Sequence, residues 1–568
     1  MASEHIDLAA KVGYLSQPTT FVDCPGSVET LETHFAWVFL AGPFVYKMKK
    51  PQRFRGFDLT TLAARRANCE LEVVLNRRLA APVYIGTVPL CASGAALRLA
   101  GPGTPVEWLV KMHRLPRDKT LDRSAAERRI GSGGVEYGIR FALALPDDWT
   151  GQFLFQGGGG LNGSVNPPLG AAAAGERPAL ARGFAVVSTD TGHQGVVFNG
   201  SFFADQEATL NFLYLANGKV TLVAKQLIDA YYRKPAAHSY FVGCSTGGRE
   251  AMIMSQRYPR YFDGLVAGAP AMRTGFSNLG IRSVSTALSA AAKRDSNGTV
   301  IPGSALSDSD KRLVVAGLVA ACDADDGLQD GMLFNPLACD FDPTVLACSG
   351  AKNDRCLSPA QATAVQQALS GPKGSNGRLV YPGYLYDTGI TASQPGVIPG
   401  VLNGAASPVG PRPPPTSQDV DAEALIAATE PSALGNTHAW TNLSTLSGHS
   451  GKLLFYKGVR DPWFSALDTL QYYQTLGAAN GGAETTRDWS RLFLVPGMGH
   501  CGGGEATLDR FDFLSAVVDW VEHDRAPDSV TATGSAFPGR SRPLCPFPQH
   551  AAYQGAGNPE DAASFECR

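Results

Sequence analysis

Short apolar runs recur along the chain, and several end directly in glycine. Phe153-Leu154-Phe155 leads through Gln156 to four glycines at 157–160, and Tyr240-Phe241-Val242 stops at Gly243. Leu453-Leu454-Phe455-Tyr456 leads to Gly458, and Leu492-Phe493-Leu494-Val495 ends in Pro496-Gly497. Unbroken apolar runs bounded by turn residues read as strands buried on both faces. The stretch Arg249–Gln256 after the second run reads as a helix. Together these elements predict an α/β protein whose functional loops lie just past the strand ends. Residues 1–122 follow a different pattern. Thr33–Leu40 and Phe44–Lys50 read as a hairpin, and 59–79, rich in Ala, Arg, Glu and Leu, reads as a helix. Val83–Val88 and Trp108–Met112 add two strands, so this part reads as a separate small α+β segment.

The chemistry gathers at the ends of the apolar runs. Gly243-Cys244-Ser245-Thr246-Gly247 has the G-x-S-x-G form of a nucleophile elbow, the strand-to-helix turn of α/β-hydrolases. A serine hydroxyl needs a base to take its proton and donors to receive charge from a carbonyl oxygen. Asp461 and His500 follow in that order, each on a loop just past a strand, which is the order of acid and base in α/β-hydrolases. The expected roles are Ser245 as nucleophile, His500 as base and Asp461 as the acid that orients it. Thr246 N–H, at the start of the helix, is the first expected oxyanion donor. The second comes from the glycine run, with Gly158 and Gly159 at its centre. Cys244 precedes the serine and Cys501 follows the histidine, so a disulfide between them would tie nucleophile to base. Trp463 and Phe464, just after Asp461, are candidates to stack on an aromatic acyl group.

Cys244-Ser245, Asp461-Pro462-Trp463-Phe464 and the run Pro496-Gly497-Met498-Gly499-His500-Cys501-Gly502-Gly503-Gly504 resemble the tannase and feruloyl esterase family. Ser188–His193 and the closing stretch 541–567 are similar to it as well, and the resemblance covers about residue 137 to the C-terminus. It implies an α/β-hydrolase core at 123–271 and 446–568, a lid domain at 272–445, and hydrolysis of feruloyl, galloyl or terephthalate monoester substrates. It also implies the pairings Cys244–Cys501, Cys322–Cys339, Cys348–Cys356 and Cys545–Cys567. The first closes a loop long enough to contribute ~4–5 kcal/mol in the chain-entropy account.

Within the expected lid, Cys322-Asp323-Ala324-Asp325-Asp326-Gly327-Leu328-Gln329-Asp330-Gly331-Met332 is dense in carboxylates and turn-forming glycines. Calcium takes several oxygen ligands, carboxylate and carbonyl together. The spacing is similar to the family's lid calcium loop. That implies a structural calcium on the side chains of Asp323, Asp326 and Asp330 and the carbonyls of Leu328 and Met332. The proline-rich stretch 404–415 reads as a loop.

The chain has 568 residues, 11 cysteines and a formal net charge of −2. The charge suggests no nucleic-acid partner, and no apolar run approaches transmembrane length. Eight cysteines after residue 240 form an even set, which predicts an oxidising compartment, periplasmic or secreted. The first residues, Met1-Ala2-Ser3-Glu4-His5, lack the basic and apolar regions of a signal peptide. Cys24, Cys69 and Cys91 form an odd set in the N-terminal segment.

That segment, with a strand lysine (Lys47) followed by a helix carrying Glu70 and Glu72, resembles the N-lobe of aminoglycoside-phosphotransferase-like kinases. There such a lysine pairs with a helix glutamate and holds phosphate. No H-G-D-x-H-like or D-F-G-like motif follows, so the segment reads as a lobe without kinase activity. The reading as an aromatic-ester hydrolase therefore stands beside two others: an ATP-binding kinase-like protein and a non-catalytic fusion.

Overall fold

The computed structural model describes all residues except 1–5, 23–25, 34, 55–56, 81–82, 95, 115–128, 131–135, 392–399 and 404–416. The proline-rich stretch 404–415 and Cys24 thus lie outside the described residues. The chain divides into two units, Met1–Ala125 and Ala126–Arg568.

The first unit is an antiparallel six-stranded sheet. Its order is Val28–Glu32, Ala36–Ala41, Phe44–Lys49, Thr104–His113, Tyr84–Ser93, Ala96–Leu99. The expected hairpin and the two later strands are present, and helix Leu62–Ala80 follows the hairpin. The outer strands Val28–Glu32 and Ala96–Leu99 were not expected. Neither contains a fully buried residue, so the apolar signal that marks the inner strands is weak there. Cys69 and Cys91 are buried free thiols.

The second unit is built on a seven-stranded sheet. Its strands are β1 (Phe141–Ala144), β2 (Gln152–Gln156), β3 (Ala185–Thr189), β4 (His238–Cys244), β5 (Gly264–Gly268), β6 (Lys452–Gly458) and β7 (Ser490–Val495). They lie in the order β1-β3-β2-β4-β5-β6-β7, with β1 antiparallel to β3 and all other neighbours parallel. The apolar runs are unbroken because both faces are covered. Phe153, Phe155, Phe241 and Phe455 pack to one side with Met252 and Tyr472, while Leu154, Val242 and Leu454 pack to the other with Leu514 and Trp520. Helices α1 (Ala216–Tyr232), α2 (Thr246–Arg257) and, later in the chain, Ala466–Ala479 supply the first cover, and Phe513–His523 the second.

Between β5 and β6 the chain leaves the sheet for a helical insertion containing α3 (Thr274–Ala290), α4 (Asp308–Cys322), α5 (Pro359–Ser370) and α6 (Val420–Thr429). The insertion has its own core around Val284, Leu318, Leu357, Val365, Ile390 and Leu402. α4 and α5 each begin with a capping box, Ser307 with Asp310 and Ser358 with Gln361. All four disulfides implied by the resemblance are formed: Cys244–Cys501, Cys322–Cys339, Cys348–Cys356 and Cys545–Cys567. Among the described residues no helix is long and apolar enough to cross a membrane.

Candidate active site

The turn from β4 into α2 places Ser245 at φ 65° and ψ −122°. A non-glycine residue reaches this conformation only when its surroundings impose it. Here Ser245 N–H donates to Gly268 O at the end of β5, and Ala271 N–H donates to Ser245 O. The turn also needs close backbone approach. A Cβ on Gly157 would lie 2.7 Å from the Cα of Gly247, so the glycine run can meet the elbow only without side chains. That contact is stitched by Gly157 N–H to Val242 O, Gly247 N–H to Gly158 O and Thr246 Oγ1 to Gly160 O.

One expectation changes at this point. Gly158 N–H donates to Oε2 of Glu250 at 2.8 Å, so it faces into the protein and not the cavity. Glu250 is fully buried, and its other oxygen accepts from Asn162 Nδ2 at 2.9 Å. Gly159 faces open space, and both it and Thr246 line the cavity that contains Ser245. As the first residue of α2, Thr246 has its N–H among the donors a helix leaves unpaired.

His500 lies on the loop after β7 and Asp461 on the loop after β6. His500 Nδ1 is 2.8 Å from Asp461 Oδ2, with the histidine nearly and the aspartate fully buried. Asp461 Oδ1 accepts from the N–H groups of Trp463 and Phe464 at 3.0 and 3.2 Å. Burial alone would raise the Asp461 carboxyl, but the charges of His500 and Lys457 hold it well below the usual carboxylate range. Trp463 and Phe464 also pack their rings beside the imidazole, with centroids 4.9 and 5.2 Å away. The Cys244–Cys501 disulfide spans the elbow and the histidine loop, and Cys501 Sγ lies 3.7 Å from His500 Nε2.

Ser245, His500, Cys244 and Cys501 open onto one cavity of about 520 Å³. Its wall is mostly aromatic and aliphatic, with Phe198, Phe203, Phe212, Leu213, Ile281, Trp463 and Phe464, and it includes the charged residues Arg249 and Glu430. Phe198 meets Trp463 edge to face. Arg249 donates to the carbonyls of Leu213 and Phe212 at 3.0 and 3.2 Å. Those carbonyls lie in a π-helical turn, Asn211–Leu215, whose wide hydrogen-bond spacing marks many functional sites.

Several residues that shape the site were not expected from sequence. Lys457 Nζ donates to Asp461 Oδ2 at 2.6 Å, fully buried. Asp387, in the insertion, accepts from Gly497 N–H at 2.9 Å, while Arg460 donates to Gly497 O at 2.9 Å and to Gly389 O at 3.3 Å. These bonds tie the histidine loop to the insertion. The signal for Lys457 was available: a lysine ending an apolar strand, four residues before the candidate acid.

In the acidic loop, Asp323 accepts from Gly331 N–H and Asp326 from the N–H groups of Leu328 and Phe334. Both carboxylates are buried, and burial raises both, Asp326 to about 6, with the charge of Asp330 adding to the effect. Crowded carboxylates of this kind are chemically suited to a divalent cation. Asp330 Oδ1 accepts from Met332 N–H, but its Oδ2 already meets Arg542 at 2.6 Å and Arg540 at 3.1 Å. Among the described residues no three carboxylate, histidine or cysteine side chains converge as a metal set.

In the N-terminal unit, Lys47 Nζ is 2.9 Å from Glu72, and Lys49 donates to the same carboxylate. Glu70 instead pairs with Arg66 on the exposed face of the helix.

The sequence model described as Tannase and feruloyl esterase matches residues 130–410 and 416–568. The chain is 36% identical over 508 residues to a mono(2-hydroxyethyl) terephthalate hydrolase of Piscinibacter sakaiensis, covering 78% of this chain and 83% of that one. It is 32% identical to a probable feruloyl esterase B-2 of Aspergillus terreus, covering 74% and 82%. Feruloyl esterase B from Aspergillus oryzae superposes with a TM-score of 0.63 at 27% identity, covering 78% and 89%. The tannin acyl hydrolase from Aspergillus niger superposes at 0.58 and 21% identity, covering 78% and 85%, which speaks for the fold alone. The chain belongs to the tannase and feruloyl esterase family of carboxylic ester hydrolases.

Proposed function

We propose that the protein cleaves esters of aromatic acids through Ser245, His500 and Asp461. The observation that carries this is the His500–Asp461 hydrogen bond beside a cavity that also contains the strained Ser245. Ser245 Oγ attacks the ester carbonyl carbon and gives its proton to His500 Nε2. The carbonyl oxygen takes the negative charge, facing the N–H groups of Thr246 and Gly159. The adduct collapses, the alcohol leaves with the proton from His500, and the acyl group stays on Ser245. Water then attacks the acyl carbon, His500 takes its proton and returns one to Ser245, and the acid is released. The aromatic and aliphatic wall supports an aromatic acyl group of the feruloyl, galloyl or terephthalate monoester kind. Turnover of a chromogenic aryl ester, abolished in Ser245→Ala, tests the mechanism, and relative kcat/KM on the three ester types ranks the substrates. Undiminished turnover by Ser245→Ala would overturn it.

The acidic loop is proposed to take a structural calcium on Asp323, Asp326 and Asp330 with the carbonyls of Leu328 and Met332. Calcium would neutralise crowded carboxylates, in competition with Arg542 and Arg540 for Asp330. It would take no part in the chemistry. The helical insertion is proposed to act as the lid. Four disulfides support a periplasmic or secreted location.

A second reading concerns the N-terminal unit alone. The Lys47–Glu72 pair borders a cavity of about 370 Å³, an arrangement that suits nucleotide phosphate. Nucleotide binding lost in Lys47→Ala would support it, and no binding by the parent protein would end it.

A further inference from the structure

Lys457 and His500 reach the same oxygen of Asp461, at 2.6 and 2.8 Å. The serine–histidine–aspartate arrangement proposed above has no need of such a lysine, and a fully buried ammonium is costly unless it is paired. Nor is Lys457 poised to act on substrate. It is fully buried, does not line the cavity and lies behind the carboxylate, 5.6 Å from the centre of the Phe464 ring.

We propose that Lys457 is a positioning residue of the hydrolytic site, fixing the Asp461 carboxylate and diverting part of its negative charge away from His500. The proposal rests on the reading of Ser245, His500 and Asp461 as the reacting group.

The surroundings leave Lys457 as the closest cation to that carboxylate. Arg460, on the same loop, turns its guanidinium to Gly497 O and Gly389 O, with Asp387 as its first charged neighbour, Glu505 as its second and Asp461 only as its third. From the insertion, Tyr384 donates to Pro462 O, and the Tyr381 hydroxyl accepts from Ser465 N–H. From helix Ala466–Ala479, Asp468 faces Lys457 but is held by Arg273, 2.9 Å from Nε. From the histidine loop comes His500 itself. Burial lowers Lys457, and Asp461 opposes that shift.

The consequence follows from charge. Asp461 Oδ2 and His500 Nδ1 are 2.8 Å apart, so a charge placed beside one acts on the other. A cation on the carboxylate disfavours adding a proton to that pair, so the base stays free to lower pH. Removing the cation lets the pair take its proton at higher pH, where it can no longer accept one from Ser245.

The experiment is the pH profile of kcat/KM on an aryl ester for the full chain and for Lys457→Met, an apolar side chain of similar length. The midpoint of the acid limb is expected to rise by about one pH unit or more, with activity largely recovered on the alkaline side. In Lys457→Ala, propylammonium is expected to return the midpoint toward the parent value. A fall by one factor at every pH, with the midpoint unmoved, would overturn the proposal. If Lys457→Met does not fold, the amine response of Lys457→Ala decides, and an unmoved midpoint with amine overturns it equally. Ser245→Ala separates the two readings. If that variant keeps its activity, the reacting group itself is wrong. If it is inactive and the Lys457 variants keep the parent midpoint, only the role of Lys457 is wrong.

Discussion

The N–H of Gly158 donates to Oε2 of Glu250, and this bond holds the glycine run against the nucleophile elbow. Glu250 lies one turn into α2 and is fully buried, with Asn162 on its second oxygen. Burial raises its carboxyl, opposed by the neighbouring Arg249 charge and by these hydrogen bonds. The pair fixes the glycine run beside the elbow, the two loops proposed above to face the oxyanion.

Glu250→Ala is therefore expected to lower kcat by about 10²-fold, as loss of geometry does in a preorganised site. KM should move much less, because Glu250 does not line the cavity. Steady-state kinetics on an aryl ester checks this. An unchanged kcat in a folded variant would show that the glycine run keeps its place without the carboxylate.

The Cys244–Cys501 disulfide links positions 257 residues apart in sequence, one next to Ser245 and the other next to His500. Reduction of all four bridges, or Cys244→Ala with Cys501→Ala, is expected to cut kcat/KM by more than about 10²-fold. Far-UV circular dichroism should change far less than the rate, because the strands are also held by their own ladders and by two apolar cores. Thiol counting beside the rate assay is the check. Full activity with all thiols free would contradict it.

For the acidic loop the measurements are metal analysis and melting with and without chelator. Calcium bound to the folded state alone raises the melting temperature by mass action, and Asp330→Ala should remove that difference. The same variant also removes the partner of Arg542 and Arg540, so it is expected to melt lower even with chelator present. A protein that contains no calcium and ignores chelator would leave Asp330 as the partner of two arginines only.

Asp190 gives a pH prediction. It accepts from the N–H groups of Arg140 and Gly192, both at 2.9 Å, and from Gln194 at 2.7 Å, tying the start of β1 to the loop after β3. Burial raises its carboxyl to about 6, against the pull of these donors. An acid raised in the folded state binds its proton more tightly there than in the unfolded chain. Its contribution is thus fully present below about pH 4 and is lost as pH rises through about 6, amounting to roughly 2–3 kcal/mol. Against Asp190→Asn, the stability of the parent should decline over that window. Denaturant titrations of both proteins at pH 4, 5, 6 and 7 measure it, and a constant difference would refute the assignment.

Much of the core was legible because buried parallel strands leave unbroken apolar runs. β2, β4, β6 and β7 were all marked this way, and the loops after β4, β6 and β7 carry Ser245, Asp461 and His500. Their strand ends were read one or two residues short, where Lys457 and Ser490 interrupt the apolar signal but remain in register. The sequence pointed to the glycine run but not to which N–H faces inward. That depends on Glu250, whose burial follows from the packing of α2 and not from any local pattern. The links of Asp387 and Arg460 to Gly497 join residues from 37 to 110 positions apart, a pairing that only the folded chain specifies.

The insertion leaves the sheet after β5 and returns at β6, and these two strands are hydrogen-bonded neighbours, with Gly268 opposite Tyr456. Because the strands are parallel, the chain leaves at one edge of the sheet, after Gly268, and returns at the other, where Lys452 lies opposite Gly264, so the insertion is one long crossover. A crossover joins the strands only at its two ends, so residues within it can change without altering strand register, provided that Asp387 and Gly389 keep their bonds to Gly497 and Arg460. Ile281, Glu430 and Asn436 of the cavity wall belong to it, while Ser245 and His500 belong to the scaffold. The cavity wall thus draws on two parts of one chain, and changes within the insertion can reshape it while the strands that carry Ser245 and His500 keep their register.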